Sequence, residues 1–560
     1  YIACLLSLAV VSGCDSILDK GPLDSFTNDN FWTGEGNISG YANAFYEQFL
    51  GYGNGNGYGD FYFKTLSDDQ AGMSFAKWTY PDNAPSTSAT WKNGWIEVRR
   101  ANIMLENVPT VASLDEATKN HWLGVARLMR AWQYYHLVRM YGNLPWIDKA
   151  LNINDEGEIY GNREDRDMVM DKVLEDLDFA VTNIKDIPSK TTWSRSLANA
   201  MKAEVCLYEG TFRKYRKNED GQQAPDATGA ARYLTACKEA CLAVMSKGYK
   251  LNTSYQGNYN STDLSSNPEM ILYKAYKEGL LMHSTIDYTC SSTQISGMSK
   301  NAFESYLFKD GKPMALTSLN KSDEAPFQYG HLSLKDILAV RDKRLAQTID
   351  TVLLYNGRGF TRFNTGMEST SSTGYGVAKY DNEAIPEGFR SQSGKNYTHA
   401  PLFWLSVIYL NYAEACAELG NITQDDLDKS INLLKDRAGL PHLNPIVGFS
   451  DPANNHGVSD LIWEIRRERR CELMFDNDNR YWDLIRWHQL DKLDTTKYPD
   501  IILGANVAND MDGCEANKVG KYIDGSKDGS RIYDKKHYLY PIPTGQIALN
   551  PQLAPNNPGW

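Results

Sequence analysis

The chain has 560 residues, and 70 aspartates and glutamates outnumber 58 lysines and arginines, so the formal net charge is −12. Such an acidic chain is unsuited to nucleic acid, because phosphate contacts need a basic surface. No run of about eighteen or more apolar residues is present, so no membrane-spanning helix is predicted. The aromatic residues include 34 tyrosines and 13 tryptophans against 18 phenylalanines, and such rings suit partly wet surfaces as well as cores.

The sequence opens on an apolar run that ends at Ser12, Gly13 and Cys14. Residues 1–13 have the pattern of the later part of a secretory signal peptide. A cysteine directly after Val-Ser-Gly is typical of a bacterial lipobox, in which acylation of Cys14 would anchor the protein to a membrane through its acyl chains. The alternative is an ordinary secreted start with an incidental cysteine.

Helical periodicity dominates two blocks of the chain, 36–248 and 402–490, where apolar residues recur every three or four positions. Capping signals and glycines mark several ends. The pattern predicts helices at 91–108, 114–141, 166–184, 195–215, 230–246, 402–419, 423–437, 459–475 and 481–490.

Several of these helices form pairs with small residues where two helices would touch. The segments LANAMKAEVCLYEG (197–210) and LNYAEACAELGN (410–421) share this character. Such pairs are typical of helix–turn–helix repeats of the tetratricopeptide type, although about 150 residues interrupt them here. A generic helical bundle is the alternative.

Two regions, 250–400 and 497–560, are rich in glycine, serine, asparagine and tyrosine and lack helical periodicity. A strand is predicted at 270–276, and the run GYGNGNGYGDF at 51–61 has the same turn-rich character. Loops of this length in a compact protein usually carry function. We therefore expect ligand and partner contacts in these loops.

The sequence contains few of the motifs typical of catalytic or metal sites. The sequence contains no GxSxG, no HExxH, no phosphate-binding loop and no CxxC pair. Asp510 and Asp512 could offer oxygen ligands to calcium, but the full loop pattern with a distal glutamate is missing. We predict no cofactor, with a structural calcium ion as the open alternative.

Two glutamates on one predicted helix face, Glu468 and Glu472, allow two interpretations. They could be the acid and base of a glycoside hydrolase, which needs two carboxyl groups roughly 5–9.5 Å apart. Alternatively they belong to a structural ion network, because buried carboxylates need cationic partners and arginine is abundant nearby. The second interpretation is favoured, with a network of Glu468, Arg469, Glu472, Arg480 and Arg486.

Several segments together resemble the SusD/RagB family, which comprises surface lipoproteins of Bacteroidota that work with TonB-dependent outer-membrane transporters. The resemblance covers nearly the whole chain. It is carried by Cys14-Asp15 before LDKGP, by WKNGWIEVRRANIMLENV at 91–108, by RRERRCELMFDNDNRYWDLIRW at 466–487, and by YPIPTGQIALNPQLAPNNPGW at 540–560.

The resemblance implies a mainly α fold with few short strands and a single domain over 14–560. Tetratricopeptide-like helix pairs would form a right-handed superhelical scaffold, and long irregular loops would carry the ligand site. The family role is capture of a glycan, or of a peptide in the RagB branch, by a lid over a SusC-like transporter, without catalysis. Relatives often have arginine in place of Trp404, so a contact made by that arginine is not expected here.

In sugar-binding sites, aromatic rings stack on the apolar C–H faces of the sugar, and polar side chains form hydrogen bonds with the hydroxyl groups at its rim. Loop aromatics with polar neighbours are therefore the candidate ligand contacts, with loop packing as the alternative for each. Trp78 and Tyr80, beside Asp82 and Asn83, lead this set. The others are Tyr288 near Gln294, Phe327 and Tyr329, and Tyr375 with Tyr380.

The function predicted from these features is glycan binding at the cell surface and delivery to a SusC-like transporter. The protein would be held at the outer membrane by its lipid anchor and would have no enzymatic activity. A RagB-like oligopeptide-binding lipoprotein is the first alternative. A glycoside hydrolase using Glu468 and Glu472 and a purely structural helical adaptor are the others.

Overall fold

The computed structural model describes residues 31–63, 66–72, 82–218, 222–290, 296–319, 334–353, 360–361, 368–369, 371–476, 479–507, 518–526 and 529–560. Its helices are α1 (Glu35–Asn43), α2 (Ala89–Asn107), α3 (Glu116–Tyr141), α4 (Glu156–Ile159), α5 (Arg166–Asn183), α6 (Arg195–Tyr215), α7 (Ala227–Met245), α8 (Thr285–Cys290), α9 (Lys300–Ser305), α10 (Lys335–Ala339), α11 (Leu345–Thr348), α12 (Glu387–Arg390), α13 (Leu405–Glu418), α14 (Gln424–Asp428), α15 (Ile431–Ala438), α16 (Asp460–Glu472), α17 (Asn479–Arg486) and α18 (Thr544–Leu549). The strands are β1 (Gln70–Ala71), β2 (Met270–Lys274), β3 (Gly297–Met298), β4 (Phe360–Thr361), β5 (Glu368–Ser369), β6 (Ala400–Trp404), β7 (Leu503–Asn506), β8 (Lys518–Val519) and β9 (Tyr522–Asp524). The prediction of a mainly helical chain with few short strands is confirmed.

Long helices form where a capping residue and an apolar stripe coincide. The α3 helix follows Asp115, whose Oδ1 accepts a hydrogen bond from the Thr118 amide at 2.7 Å. It ends at Gly142, which has a φ of 72°. Its buried face carries Trp122 and Tyr135. Helix propensity alone is weak in water, so burial of this face supplies most of the stability of the helix.

Helices that follow one another in the chain also pack side by side. The α2 helix packs against α3, α3 against α5, α5 against α6, and α6 against α7. The α13 helix then packs against both α7 and α16, which joins the two helical blocks. This nearest-neighbour stacking is the arrangement expected of repeated helix pairs.

Strands pair only in small antiparallel sheets: β1 with β3, β2 with β6, β4 with β5, and β7–β9–β8. The β2–β6 pair corrects the predicted helix at 402–419, because 400–404 is a strand and α13 begins at Leu405. Met270 lies opposite Trp404 in this pair. A short apolar run fits either element, and pairing with a distant segment decides for the strand.

The predicted helix 423–437 is also corrected, because it forms two helices, α14 and α15. Ser430 leaves the helical conformation between them with a φ of −136° and a ψ of −97°. Its hydroxyl donates a hydrogen bond to the Asp426 carbonyl oxygen at 2.5 Å. Serine competes in this way with the helical backbone, which accounts for a break that periodicity alone did not reveal.

Aromatic residues on the helical stripes lie in the core, as predicted for Trp132, Tyr135, Tyr208, Tyr412 and Trp482. Cys206 and Cys416 are buried and form no disulfide, which confirms them as small core residues. Within the described part of the chain, every helix is too short or too polar to cross a bilayer.

The C-terminal segment packs back onto the end of α3. The Tyr540 amide donates a hydrogen bond to the Met140 carbonyl oxygen at 2.7 Å. Asn557 Nδ2 donates to the Tyr141 carbonyl oxygen at 2.9 Å. These donors satisfy carbonyl groups that the end of a helix leaves without intrahelical partners.

Candidate functional site

A glycine-rich loop, residues 50–63, is wound so tightly that its turns need glycine. Gly53 has a φ of 90°, and a Cβ there would clash with the Gly57 carbonyl oxygen. A Cβ on Gly59 would clash with the Gly51 carbonyl oxygen. The alternating glycines of GYGNGNGYGDF thus serve the backbone path of this loop.

Hydrogen bonds fix the loop to the segment 276–284. Tyr276 Oη accepts from the Tyr52 amide at 2.9 Å and donates to the Gly53 carbonyl oxygen at 2.9 Å. The Gly55 amide donates to the Met282 carbonyl oxygen at 2.8 Å. An anchored loop can present a side chain to solvent in a defined position, which a binding site requires.

Three rings from this loop and from α8 form a partly exposed cluster, which we call the aromatic patch: Tyr58, Phe63 and Tyr288. Tyr58 stacks on Phe63 with ring centroids 4.5 Å apart and an interplanar angle of 17°. Tyr288 meets both rings edge-on, at 5.5 Å from Tyr58 and 5.8 Å from Phe63. Tyr58 is 60% exposed, so the patch offers an aromatic surface to solvent.

Polar groups border the aromatic patch. Tyr288 Oη donates to the Asn56 carbonyl oxygen at 3.2 Å. Ser393 Oγ lies 3.1 Å from Tyr288 Oη and 3.1 Å from Asn56 Oδ1. Asn54 and Asn56 are exposed beside the rings. The surface therefore combines a stacked ring with amides and hydroxyls, which is the combination that a sugar ring with its hydroxyl rim requires.

The structure places the predicted ligand residues in different environments. Tyr288 is part of the aromatic patch. Asp82 and Asn83 are exposed, and the Asp82 carbonyl oxygen accepts a hydrogen bond from Lys536 Nζ at 3.2 Å, so they lie beside the C-terminal segment. Several other predicted residues lie outside the described residues: Cys14, Trp78, Tyr80, Gln294, Phe327 and Tyr329, together with Asp510 and Asp512.

Tyr375 and Tyr380 are buried, which corrects their assignment as ligand contacts. Tyr375 is 3% exposed and stacks on Phe303 with centroids 4.3 Å apart. Tyr380 Oη donates to the Phe475 carbonyl oxygen at 3.0 Å inside the core. Their rings are occupied by protein neighbours and present no face to a ligand.

Sequence reasoning did not identify Tyr58, Phe63 or Asn56. The available signal was the run GYGNGNGYGDF, where an aromatic residue and asparagines stand among glycines. Glycine gives the backbone freedom to form a tight loop. The same loop buries Tyr52 and Phe61, so local composition does not show which of its rings face solvent.

Glu468 and Glu472 are both buried and bind one guanidinium group. Arg344 Nη1 lies 2.5 Å from Glu468 Oε1 and 2.8 Å from Glu472 Oε2. Burial alone would raise the pKa of Glu468, but the charges of Arg344 and Lys435 and their hydrogen bonds hold this pKa below its ordinary value. Glu472 also forms an ion pair with Arg437. A carboxylate held ionised in this way is poorly suited to act as a general acid.

The other members of the predicted ion network also form buried pairs. Arg469 Nε donates to Asp483 Oδ2 at 2.8 Å, and Arg480 Nε donates to Asp68 Oδ1 at 2.7 Å. Arg486 donates to Glu414 through both terminal nitrogens, at 2.6 and 2.8 Å. The bidentate pair of Arg486 is geometrically specific. Together these pairs connect α16 with α17, and α17 with α13 and with the segment before β1.

Two family models match the chain. The model described as the SusD family matches residues 243–560, more than half of the sequence. The chain belongs to the SusD family. A second model, described as starch-binding associating with outer membrane, matches residues 27–207 of this SusD-family protein.

Curated SusD-like proteins are similar over most of the chain. A SusD-like protein of Formosa agariphila is 24% identical over 496 residues, which are 86% of this chain and 90% of the relative. A SusD-like protein of Bacteroides ovatus is 24% identical over 498 residues, 84% of this chain and 79% of the relative. The similarity thus extends across both helical blocks.

Solved SusD-like structures share the fold. A SusD-like carbohydrate binding protein from Bacteroides fragilis superimposes with a TM-score of 0.69 at 20% identity, covering 94% of this chain and all of the other. A protein described as a laminarin binding SusD-like protein gives a TM-score of 0.57 at 19% identity, with 94% and 100% coverage. A structure with a xylogluco-oligosaccharide gives 0.58 at 16% identity, with 92% and 97% coverage.

Proposed function

We propose that this SusD-family protein binds a glycan at the aromatic patch. The observation that carries the proposal is the exposed Tyr58 ring, stacked on Phe63 and bordered by Asn56 and Ser393. The flat ring surface would contact the C–H face of a sugar, and the amides and hydroxyls would hydrogen-bond its rim. Two proteins of the same fold whose descriptions name glycan ligands support a glycan as the ligand class.

We further propose that the bound glycan is handed to a SusC-like TonB-dependent transporter, with the protein anchored at the outer-membrane surface through Cys14. The family membership and the second family description support this location. No hydrolysis is part of this role. The Arg344-bound pair of Glu468 and Glu472 supports a binding protein over a glycoside hydrolase, because a general acid must be able to hold and release a proton.

Glycan capture is tested by replacing Tyr58. The Tyr58→Ala variant removes the exposed stacking surface and leaves the buried anchors of the loop intact. We expect its affinity for the bound polysaccharide to fall by about tenfold or more, the loss typical of a central aromatic contact. Isothermal titration calorimetry against a panel of neutral polysaccharides measures this change.

The matched control is Tyr160→Ala, which removes a tyrosine that is 46% exposed and is not part of the aromatic patch. It should bind as the wild type does. Equal affinities of Tyr58→Ala and wild type for the recognised glycan would refute the assignment of the site. Binding to oligopeptides with no response to any glycan would instead support the RagB-like alternative.

A further inference from the structure

A cavity of about 310 Å³ lies where α16 meets the segments 301–315 and 489–501. None of the aromatic patch residues lines it. Exposed residues, among them Ala315, Ala453 and Asn455, stand at its rim, so it opens to solvent. Its volume is near the lower end of the roughly 300–1,000 Å³ range of small-molecule sites, so it suits one small molecule better than a polymer.

A buried lysine faces this cavity and forms no ion pair with any described residue. Lys492 lines the wall and is 9% exposed. Its ammonium lies 4.5 Å from the centroid of the Trp463 ring. Within the described ranges, no hydrogen bond or ion pair involves its Nζ. An unpaired buried ammonium is costly, so an anion beside it would be stabilised.

Among the described residues, the acidic groups on the wall form no ion pair with Lys492: three are paired with other cations, and Asp500 is held by an amide. Asp68 binds Arg470 and Arg480, Asp451 binds Arg467, Glu304 binds Lys300, and Asp500 accepts a hydrogen bond from Asn301.

Arg466 adds positive charge to the same wall. Its Nη2 donates to Glu418 at 3.0 Å, whereas its Nε and Nη1 have no hydrogen-bond acceptor among the described residues. The guanidinium lies 4.5 Å from the centroid of the Trp487 ring. The wall thus carries the positive charge of Arg466 beside that of Lys492.

Burial is the main factor that lowers the pKa of Lys492, to about 7, and the neighbouring charge of Arg480 lowers it further. Asp68 opposes this effect, while Arg470 and Arg466 add to it. The ammonium is therefore partly deprotonated near neutral pH. A bound anion would draw a proton onto it, because opposite charge favours the charged form.

We infer that this cavity binds a carboxylate-bearing molecule of monosaccharide size, such as a uronic acid, with the carboxylate on the Lys492 ammonium. The apolar side chains of Pro313, Met314 and Ile501 on the wall would contact the carbon framework of the molecule, and Gln489 would reach its hydroxyl groups. This second site does not depend on glycan binding at the aromatic patch.

The test is calorimetric titration of the whole protein with glucuronate, glucose and inorganic phosphate. We expect glucuronate to bind the wild type and Tyr58→Ala equally. The Lys492→Met variant should bind it roughly 10- to 100-fold more weakly, since a charge-assisted hydrogen bond is lost. Lys497→Met, which removes an exposed lysine five positions along the chain, should bind as the wild type does. Glucose should show no binding that depends on Lys492.

Proton uptake on binding is a second measurement, and a lysine with only a structural role would not contribute to it. At pH 7.5, the wild type should take up a fraction of a proton when it binds glucuronate. This uptake is measured as a difference in binding heat between buffers of different ionisation enthalpy. The Lys492→Met variant should show no such difference. The unliganded variant should melt no lower than the wild type, because an unpaired buried charge is removed. Three outcomes would overturn the proposal. The Lys492→Met variant could bind glucuronate as tightly as the wild type does, or the wild type could take up no proton on binding. The third is that the wild type binds phosphate as tightly as it binds glucuronate.

Discussion

His283 shows how a single residue can couple the glycine-rich loop to pH. Its Nε2 donates to the Thr398 carbonyl oxygen at 3.0 Å, and its Nδ1 accepts from the Thr285 amide at 3.2 Å. The contact with the Thr285 amide needs the neutral ring, because a protonated Nδ1 cannot accept, whereas Nε2 donates in either state. Burial lowers the pKa of His283 from 6.5 to about 3, and the charge of His399 adds to this effect. The residue lies beside Met282 and Ser284, which hold Gly55 of the loop.

We predict an acid-sensitive stability that depends on His283. Below about pH 6.5 the unfolded chain binds a proton on this residue that the folded chain does not, so stability present above pH 6.5 is lost as the pH falls toward 3. This residue alone should lower the free energy of unfolding by roughly 2 kcal/mol between pH 7 and pH 5. Urea unfolding of His283→Gln at the two pH values should show a smaller difference than the wild type. The exposed His442→Gln is the control and should keep the wild-type difference; an unchanged difference in His283→Gln would contradict the prediction.

At the level of residues, the sequence distinguished core aromatics from surface aromatics only where periodicity was available. Trp132 and Tyr412 stand on helical stripes and are buried as predicted. Tyr288 and Tyr375 both stand in irregular, polar-rich surroundings, yet one borders solvent and the other stacks on Phe303. That difference arises from contacts between distant segments, which local composition does not contain.

At the level of elements, Arg344 holds separate parts of the chain together. It binds Asp342 at 2.7 Å and both glutamates of α16. The Arg344→Met variant would leave these buried carboxylates without their shared cation. We predict a loss of about 3–5 kcal/mol in the free energy of unfolding, measured by denaturant titration.

The control for this prediction is Arg127→Met. Its guanidinium lies 3.5 Å from Asp176 and its side chain is 37% exposed. Exposed pairs contribute little, so this variant should lose less than about 1 kcal/mol. Similar losses in the two variants would show that burial of the Arg344 network has no special effect on stability.

Helix ends were predictable where their signals are local. The α6 helix has the predicted bounds, Arg195–Tyr215, because Ser194 caps it and its apolar residues keep helical spacing throughout. The start of α13 was displaced because β6 pairs with β2, a segment distant in sequence. Local signals thus account for most of the helical scaffold, and non-local pairing accounts for the displaced start of α13.

At the level of the whole molecule, the proposed delivery role predicts a stable complex with a transporter. Affinity purification of the tagged precursor from detergent-solubilised outer membranes should recover a TonB-dependent barrel in comparable amount. A purely structural adaptor would also bind the barrel, but its uptake of glycan would not respond to Tyr58→Ala. Recovery of the protein alone under conditions that preserve other outer-membrane complexes would contradict delivery by contact.

The return of the C-terminal segment to α3 has a consequence for how the protein is made. Asn557 donates to the Tyr141 carbonyl oxygen across 416 positions of sequence, and Arg163 donates to Asn557 Oδ1 across 394. A chain leaving the ribosome has synthesised α3 long before these partners exist, so that end of the scaffold is completed only after Asn557 has been made. Contacts of such long range slow folding, because a large loop must close before they form. A product cut short before Asn557 would keep its early helices and lack these closing contacts, and so would remain open to proteolysis at this end.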